Sequence, residues 1–129
     1  MYTNNVDVEI IRLWWFNKRY EYNKGLVMGG IIAFILYCIL GFIIIEPRQE
    51  FELTLFTILY QGIAYIMLMA LANVFYTLGS IADLLFNKSN STKFREHLFV
   101  AGYWFSTLLP SLFVLGIMIY LSNSHVFLD

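Results

Sequence analysis

From Leu53 to Ala82 the chain runs for 30 residues without one charged side chain. A water-soluble helix of that length needs a polar face, and a soluble strand needs alternation or an early turn. A hydrocarbon bilayer about 30 Å thick needs about 20 apolar residues at about 1.5 Å each. The run is too long for one bare crossing and too short for two crossings and a turn. It predicts one helix that crosses over 53–73 and continues to 86, beyond the headgroups. In the continuation Asn73, Thr77, Ser80 and Asn87 recur at helical spacing as a polar stripe. Val74, Phe75, Leu78, Ile81 and Leu85 stay apolar, so this part reads as amphipathic and needs a cover for its apolar side.

Two further runs behave in the same way. Residues 25–45 (GLVMGGIIAFILYCILGFIII) carry no charge and end in IIIEPRQ, with no small-residue cleavage site of the secretory kind. They predict a retained first span, ended by Pro47. Residues 98–121 predict a third span that contains Pro110, whose missing N–H frees the carbonyl of Ser106 and kinks the helix. Ser106 and Thr107, one turn earlier, are expected to help satisfy that group. The connections are short: EPRQEFE (46–52), with Glu50 and Glu52 at the positive end of the second helix, and NKSNSTKFRE (87–96) as a polar turn.

The expected fold is therefore an all-α integral membrane protein. It is one domain of 129 residues, with an N-terminal juxtamembrane amphipathic helix (1–24), a three-helix membrane bundle (25–121) and a short tail (122–129). Composition agrees: 60% of residues are apolar and 13% charged, against about 45–50% and about 25% in soluble domains. A soluble fold this small has too little interior to hide so many apolar side chains.

Lysine and arginine set the orientation. Arg12, Lys18, Arg19 and Lys24 precede the first span; Lys88, Lys93 and Arg95 lie in the second loop; only Arg48 lies in the first. The N-terminus and second loop are expected to be cytoplasmic and the C-terminus extracytoplasmic. Two glycosylation sequons, at Asn87 and Asn90, then face the cytoplasm and read as chance matches. Richness in Ile, Phe, Tyr and Asn suggests a low-GC bacterium and its inner membrane.

Within the spans, small residues mark packing faces. Gly25, Gly29, Ala33 and Gly41 follow one another at multiples of four, and Gly102, Ser106 and Gly116 do the same work on the third span. Packing within the chain is the favoured use of the first face, with a homodimer or partner contact as the rival. Gln61 and Asn73 are polar groups that hydrocarbon penalises unless they bond across helices. Asp83 is placed at the inner surface, within reach of Lys88.

Catalytic constellations are missing from this reading. The spans hold no midplane Asp, Glu or His of the kind coupled carriers use, and there is no HExxH, phosphate loop or paired carboxylate at a reaction centre. The lone Cys38 and the separated His97 and His125 give neither a disulfide nor metal-ligand spacing, so no cofactor is expected. A net charge of −1 makes nucleic acid an unsuitable partner.

The segment before the first span carries Trp14, Trp15, Tyr20 and Tyr22 with Lys18, Arg19 and Lys24, as aromatic belts and topology signals do at a membrane entry. Its apolar residues form two faces: Val6, Ile10, Leu13 and Tyr20 on one, Val8, Ile11, Trp15 and Tyr22 on the other. A helix that merely lies on a bilayer has one. The second face is expected to pack on residues 74–86 as an inner collar. Function follows only coarsely. The partners expected are the bilayer and a membrane protein, itself or another. The leading reading is a non-enzymatic subunit, assembly factor or immunity-like partner acting through helix contacts. The alternative is an oligomeric pore lined by Gln61, Asn73, Thr77 and Ser80.

Overall fold

The computed structural model describes residues 5–45 and 52–124. Three helices fill them: α1 (Asn5–Leu40), which runs on as a π-helical turn over Gly41–Ile45, α2 (Leu55–Phe86) and α3 (Thr92–Ser124). No strand occurs among the described residues. All three helices are long and apolar enough to cross a membrane. At about 1.5 Å per residue, the 32 residues of α2 span about 48 Å, well beyond an apolar slab of about 30 Å.

Helix ends follow from local chemistry. Thr54 caps α2 reciprocally with Thr57: its side chain accepts from Thr57 N at 3.2 Å, and Thr57 Oγ1 accepts from Thr54 N at 3.0 Å. Asn87 closes the other end, and the turn to α3 needs a left-handed residue, supplied by Asn90 at φ 50°. Pro47 and the Glu46–Glu50 stretch fall outside the described residues, as does the tail that holds His125.

Contacts fix the arrangement. Trp14 meets Phe99, Gly25 meets Tyr103 and Gly29 meets Thr107, so α1 and α3 run parallel. Trp15 meets Asp83 and Asn23 meets Asn73, so α2 runs antiparallel to both. The core is an aromatic layer at one end of the bundle, built from Ile11, Trp15, Tyr22, Leu26, Ala72, Tyr76 and Phe99. Edge-on ring pairs tie Trp15 to Tyr76 and Trp14 to Phe99, at centroid distances of 5.2 and 5.8 Å.

Four sequence expectations need correction. First, no break separates the segment before residue 25 from the first apolar run. One helix carries both, because nothing near Lys24 stops it and Gly25 serves packing rather than a turn. Second, α3 begins at Thr92 rather than near 98, which leaves only residues 87–91 as the turn. Third, Pro110 sits inside a continuous α3, but the neighbouring hydroxyls do not serve the carbonyl of Ser106. Thr107 Oγ1 donates to the Tyr103 carbonyl at 2.8 Å, and Ser106 pairs with Tyr22.

The fourth concerns the collar. Trp15 and Tyr22 do pack on the lower half of α2, but against its other side. Val74, Phe75, Leu78, Ile81 and Leu85 are exposed, while Ala72, Tyr76 and Asp83 are buried and Asn73 and Thr77 bond to α1. On this stretch of α2 the apolar stripe faces outward, and the side toward α1 mixes Tyr76 and Ala72 with Asn73 and Asp83.

Candidate functional site: a buried polar cluster at the α2–α3 turn

Asp83, Asn87, Ser91 and Arg95 are spaced by four across the turn, and the spacing brings all of them together. The Arg95 Nε donates to Asp83 Oδ2 at 2.6 Å. The indole N–H of Trp15 donates to the same oxygen at 2.8 Å, and Asn87 Nδ2 donates to Oδ1 at 2.7 Å. Asn87 then takes the Ser91 N–H on its own oxygen at 2.8 Å. Arg95 also donates to Asn90 Oδ1 at 2.6 Å, and Asn90 Nδ2 reaches Asp7 on α1 at 3.3 Å. The Trp14 ring stacks 5.7 Å from the guanidinium. Asp83 is 0% exposed and Arg95 3%, so this ion pair is dry and every member has partners.

Three expectations change with this geometry. The partner of Asp83 is Arg95, not Lys88, which is exposed. Arg95 was grouped with the loop cations as a topology signal, yet its charge is neutralised inside the fold. Asn87 is likewise buried rather than part of a wetted stripe, so the first sequon is closed to modification by packing alone.

Above the cluster, polar bonds join α1 to α2 almost turn by turn. The Tyr76 hydroxyl donates to the Trp15 carbonyl at 2.5 Å, and Arg19 donates to Thr77 Oγ1 at 3.1 Å. Asn73 Nδ2 donates to Asn23 Oδ1 at 2.7 Å. The Tyr22 hydroxyl donates to the Ala72 carbonyl at 3.0 Å and lies 2.8 Å from Ser106 Oγ, while Tyr65 donates to the Leu26 carbonyl. The interface of α1 with α3 is made differently. A Cβ on Gly29 would lie 2.5 Å from the Thr107 carbonyl oxygen, and one on Gly25 would lie 2.3 Å from the Tyr103 ring. Ala33 and Gly41 are buried further along the same helix.

The remaining site candidates distribute as follows. Lys18 pairs with Glu21 at 2.6 Å, Arg19 also stacks on Tyr76, and Tyr20 and Lys24 are exposed. Ser80 is half-buried. Gly102 is exposed with no neighbour within 4 Å of a Cβ, so it does not serve close packing. Gln61 is half-buried and makes no side-chain hydrogen bond among the described residues. Beside the core, an apolar groove of about 130 Å³ lies between α2 and α3, flanked by Gly79, Gly102, Phe75 and Phe105.

Chemically the cluster is a lock rather than a reaction centre. The carboxylate of Asp83 accepts on both oxygens and faces no open space that admits a substrate. Among the described residues no three His, Cys, Asp or Glu side chains are placed to hold a metal. Tyr76 and Tyr65 carry much of this network without any signal in the sequence, and Arg95, Asn87 and Asn90 stand out there only as a loop cation, a stripe member and sequon residues. The four-residue spacing of Asp83, Asn87, Ser91 and Arg95 was the one signal that pointed to it. Comparison with family models, with curated proteins and with solved structures finds no match to this chain.

Proposed function

We propose that this chain is a small multi-pass membrane protein that acts without catalysis, through helix–helix contacts, as a subunit, assembly factor or immunity-like partner. The carrying observation is where its polar and apolar surfaces go. The buried polar side chains are satisfied inside the fold, whereas no residue of α2 between Leu55 and Leu71 is buried. The chemistry is turned inward and the adhesive surface outward. In this reading the apolar parts of the three helices lie in a bacterial inner membrane, with the N-terminus and the α2–α3 turn in the cytoplasm. The basic residues other than the internally paired Arg95 still favour that side, since Arg12, Lys18, Arg19, Lys24, Lys88 and Lys93 all belong to it.

The pore alternative loses support because two members of its lining stripe, Asn73 and Thr77, are bonded to α1. Native mass measurement of the protein extracted mildly from its own membrane tests the reading. A defined complex, with itself or with one other membrane protein, is the expected result. A lone monomer under every mild extraction refutes it, and ion conduction by the purified chain in planar bilayers replaces it.

A further inference from the structure

The face that α2 turns away from the bundle is uncharged to its last residue. Asp83 is the only charged side chain between Leu55 and Phe86, and it is 0% exposed and paired with Arg95. Beyond Ala72 the exposed apolar positions of α2 are Val74, Phe75, Leu78, Ile81, Leu85 and Phe86. At this end of the bundle the exposed helical charges sit on α1 (Glu9, Arg12, Arg19, Glu21, Lys24) and on α3 (Lys93, Glu96). Every exposed carboxylate among the described residues here therefore belongs to α1 or α3.

We infer that this face of α2 lies against the lipids of the inner leaflet along its whole length, with the bundle tilted so that its Asp83–Arg95 end rests in the interfacial layer. The inference rests on the membrane reading above and replaces a helix end that stands clear of the headgroups. An upright α2, about 48 Å long, carries about 18 Å of apolar face past a hydrocarbon core of about 30 Å. Tilted by about 25°, it spans about 43 Å, the depth of a bilayer with its headgroup regions.

Lipid fits these residues better than another helix does. Membrane helices approach one another through small residues, as α1 does at Gly25 and Gly29. The exposed apolar positions from Val74 to Phe86 are all large. A protein partner also needs polar groups at the rim of its contact. Those along this stretch are spent inside the fold, Asn73 on Asn23 and Thr77 on Arg19. Two cations remain for phosphates: Arg19 is exposed beside Thr77, and Lys88 is exposed just past the Asn87 cap. An apolar stripe flanked by cations, with no exposed carboxylate in it, complements an anionic lipid surface.

The test uses the full chain in liposomes of phosphatidylethanolamine and phosphatidylglycerol, in a Cys38→Ser background. Single nitroxide labels are attached through Leu78→Cys and Leu85→Cys, through Lys93→Cys and Glu96→Cys on α3, and through Ile63→Cys in the apolar half of α2. All five positions are exposed, so the labels leave the packing intact. Collisions with oxygen report lipid, and collisions with a water-soluble nickel chelate report water. Leu78→Cys and Leu85→Cys are expected to show an oxygen-to-nickel ratio several-fold above that of Lys93→Cys and Glu96→Cys. Equal ratios at the four positions overturn the inference, while an Ile63→Cys label that still favours oxygen keeps the membrane reading. Labels at Leu78→Cys and Leu85→Cys shielded from both reagents also overturn it, because protein then covers the face. A nickel-accessible label at Ile63→Cys overturns both.

Discussion

Removing either charge of the Asp83–Arg95 pair leaves the other buried and unpaired, a change that costs about 3–5 kcal/mol in protein interiors. Asp83→Leu also strips the acceptor from the Trp15 indole and the Asn87 amide, so it sits at the upper end of that range. Arg95→Met leaves a carboxylate that still holds Trp15 and Asn87, and it sits at the lower end. If the two sites acted independently, the double variant would lose about 6–10 kcal/mol, comparable with the whole stability of a small domain. The pair acts as a unit, however. Deleting both charges leaves orphaned neutral donors at about 1–3 kcal/mol each, and no stranded charge. The double variant is therefore expected to be no less stable than Asp83→Leu alone, giving a coupling free energy of at least about 3 kcal/mol, the cost of Arg95→Met. Reversible unfolding in mixed bicelles, followed by far-UV circular dichroism and closed as a double-mutant cycle, measures it. Additive losses, or a cost for Asp83→Leu below about 1 kcal/mol, would refute a dry, coupled pair.

Three further outcomes follow from the packing. Trp15→Ala and Tyr22→Ala each remove a buried ring and are expected to cost about 3–5 kcal/mol, whereas Tyr20→Ala, at a 78% exposed position, stays within about 0.5 kcal/mol. The same unfolding assay separates them, and equal effects at all three sites would contradict the two-faced helix. Gly29→Ala forces a Cβ to within 2.5 Å of a backbone oxygen that has no rotamer to change, so it should prevent α1–α3 closure; Gly102→Ala meets nothing and should lower stability little. Thermal midpoints in detergent report the difference. In intact cells, Ser89→Cys in a Cys38→Ser background is expected to resist an impermeant maleimide and Ser124→Cys to react, and the opposite pattern reverses the orientation.

The helices themselves were legible because length without charge is a local property. The uncharged runs between Lys24 and Glu46, between Glu52 and Asp83, and beyond His97 mark the helices almost by inspection. Boundaries near Thr92 and Gly25 were less so. Polar residues such as Lys93 and Glu96 look like loop, although they form the exposed side of a first helical turn whose inner side is Arg95 and Phe99. The site was hidden for a different reason. Asp83 and Arg95 each look like an interfacial charge when taken singly, and only the closed turn puts them 2.6 Å apart. The choice of which α2 face meets α1 was also hidden, because amphipathic periodicity marks an apolar stripe without saying whether it faces the bundle, and here it faces outward.

That arrangement bears on how the bundle is held together. Against α3, α1 presents Gly25 and Gly29, and the interface is close packing that tolerates no added carbon at Gly29. Against α2 it presents Trp15, Arg19, Tyr22 and Asn23, and the interface combines the aromatic layer around Tyr76 with a ladder of hydrogen bonds. Single interhelical hydrogen bonds in membranes are worth only about 0.6 kcal/mol on average, so the ladder orients α2 more than it binds it. The charge pair and the aromatic layer hold the lower half of α2. The upper half, which has neither, leaves its apolar side chains exposed. A chain with such an uneven division of contacts has its fold secured at the end where its charges are buried.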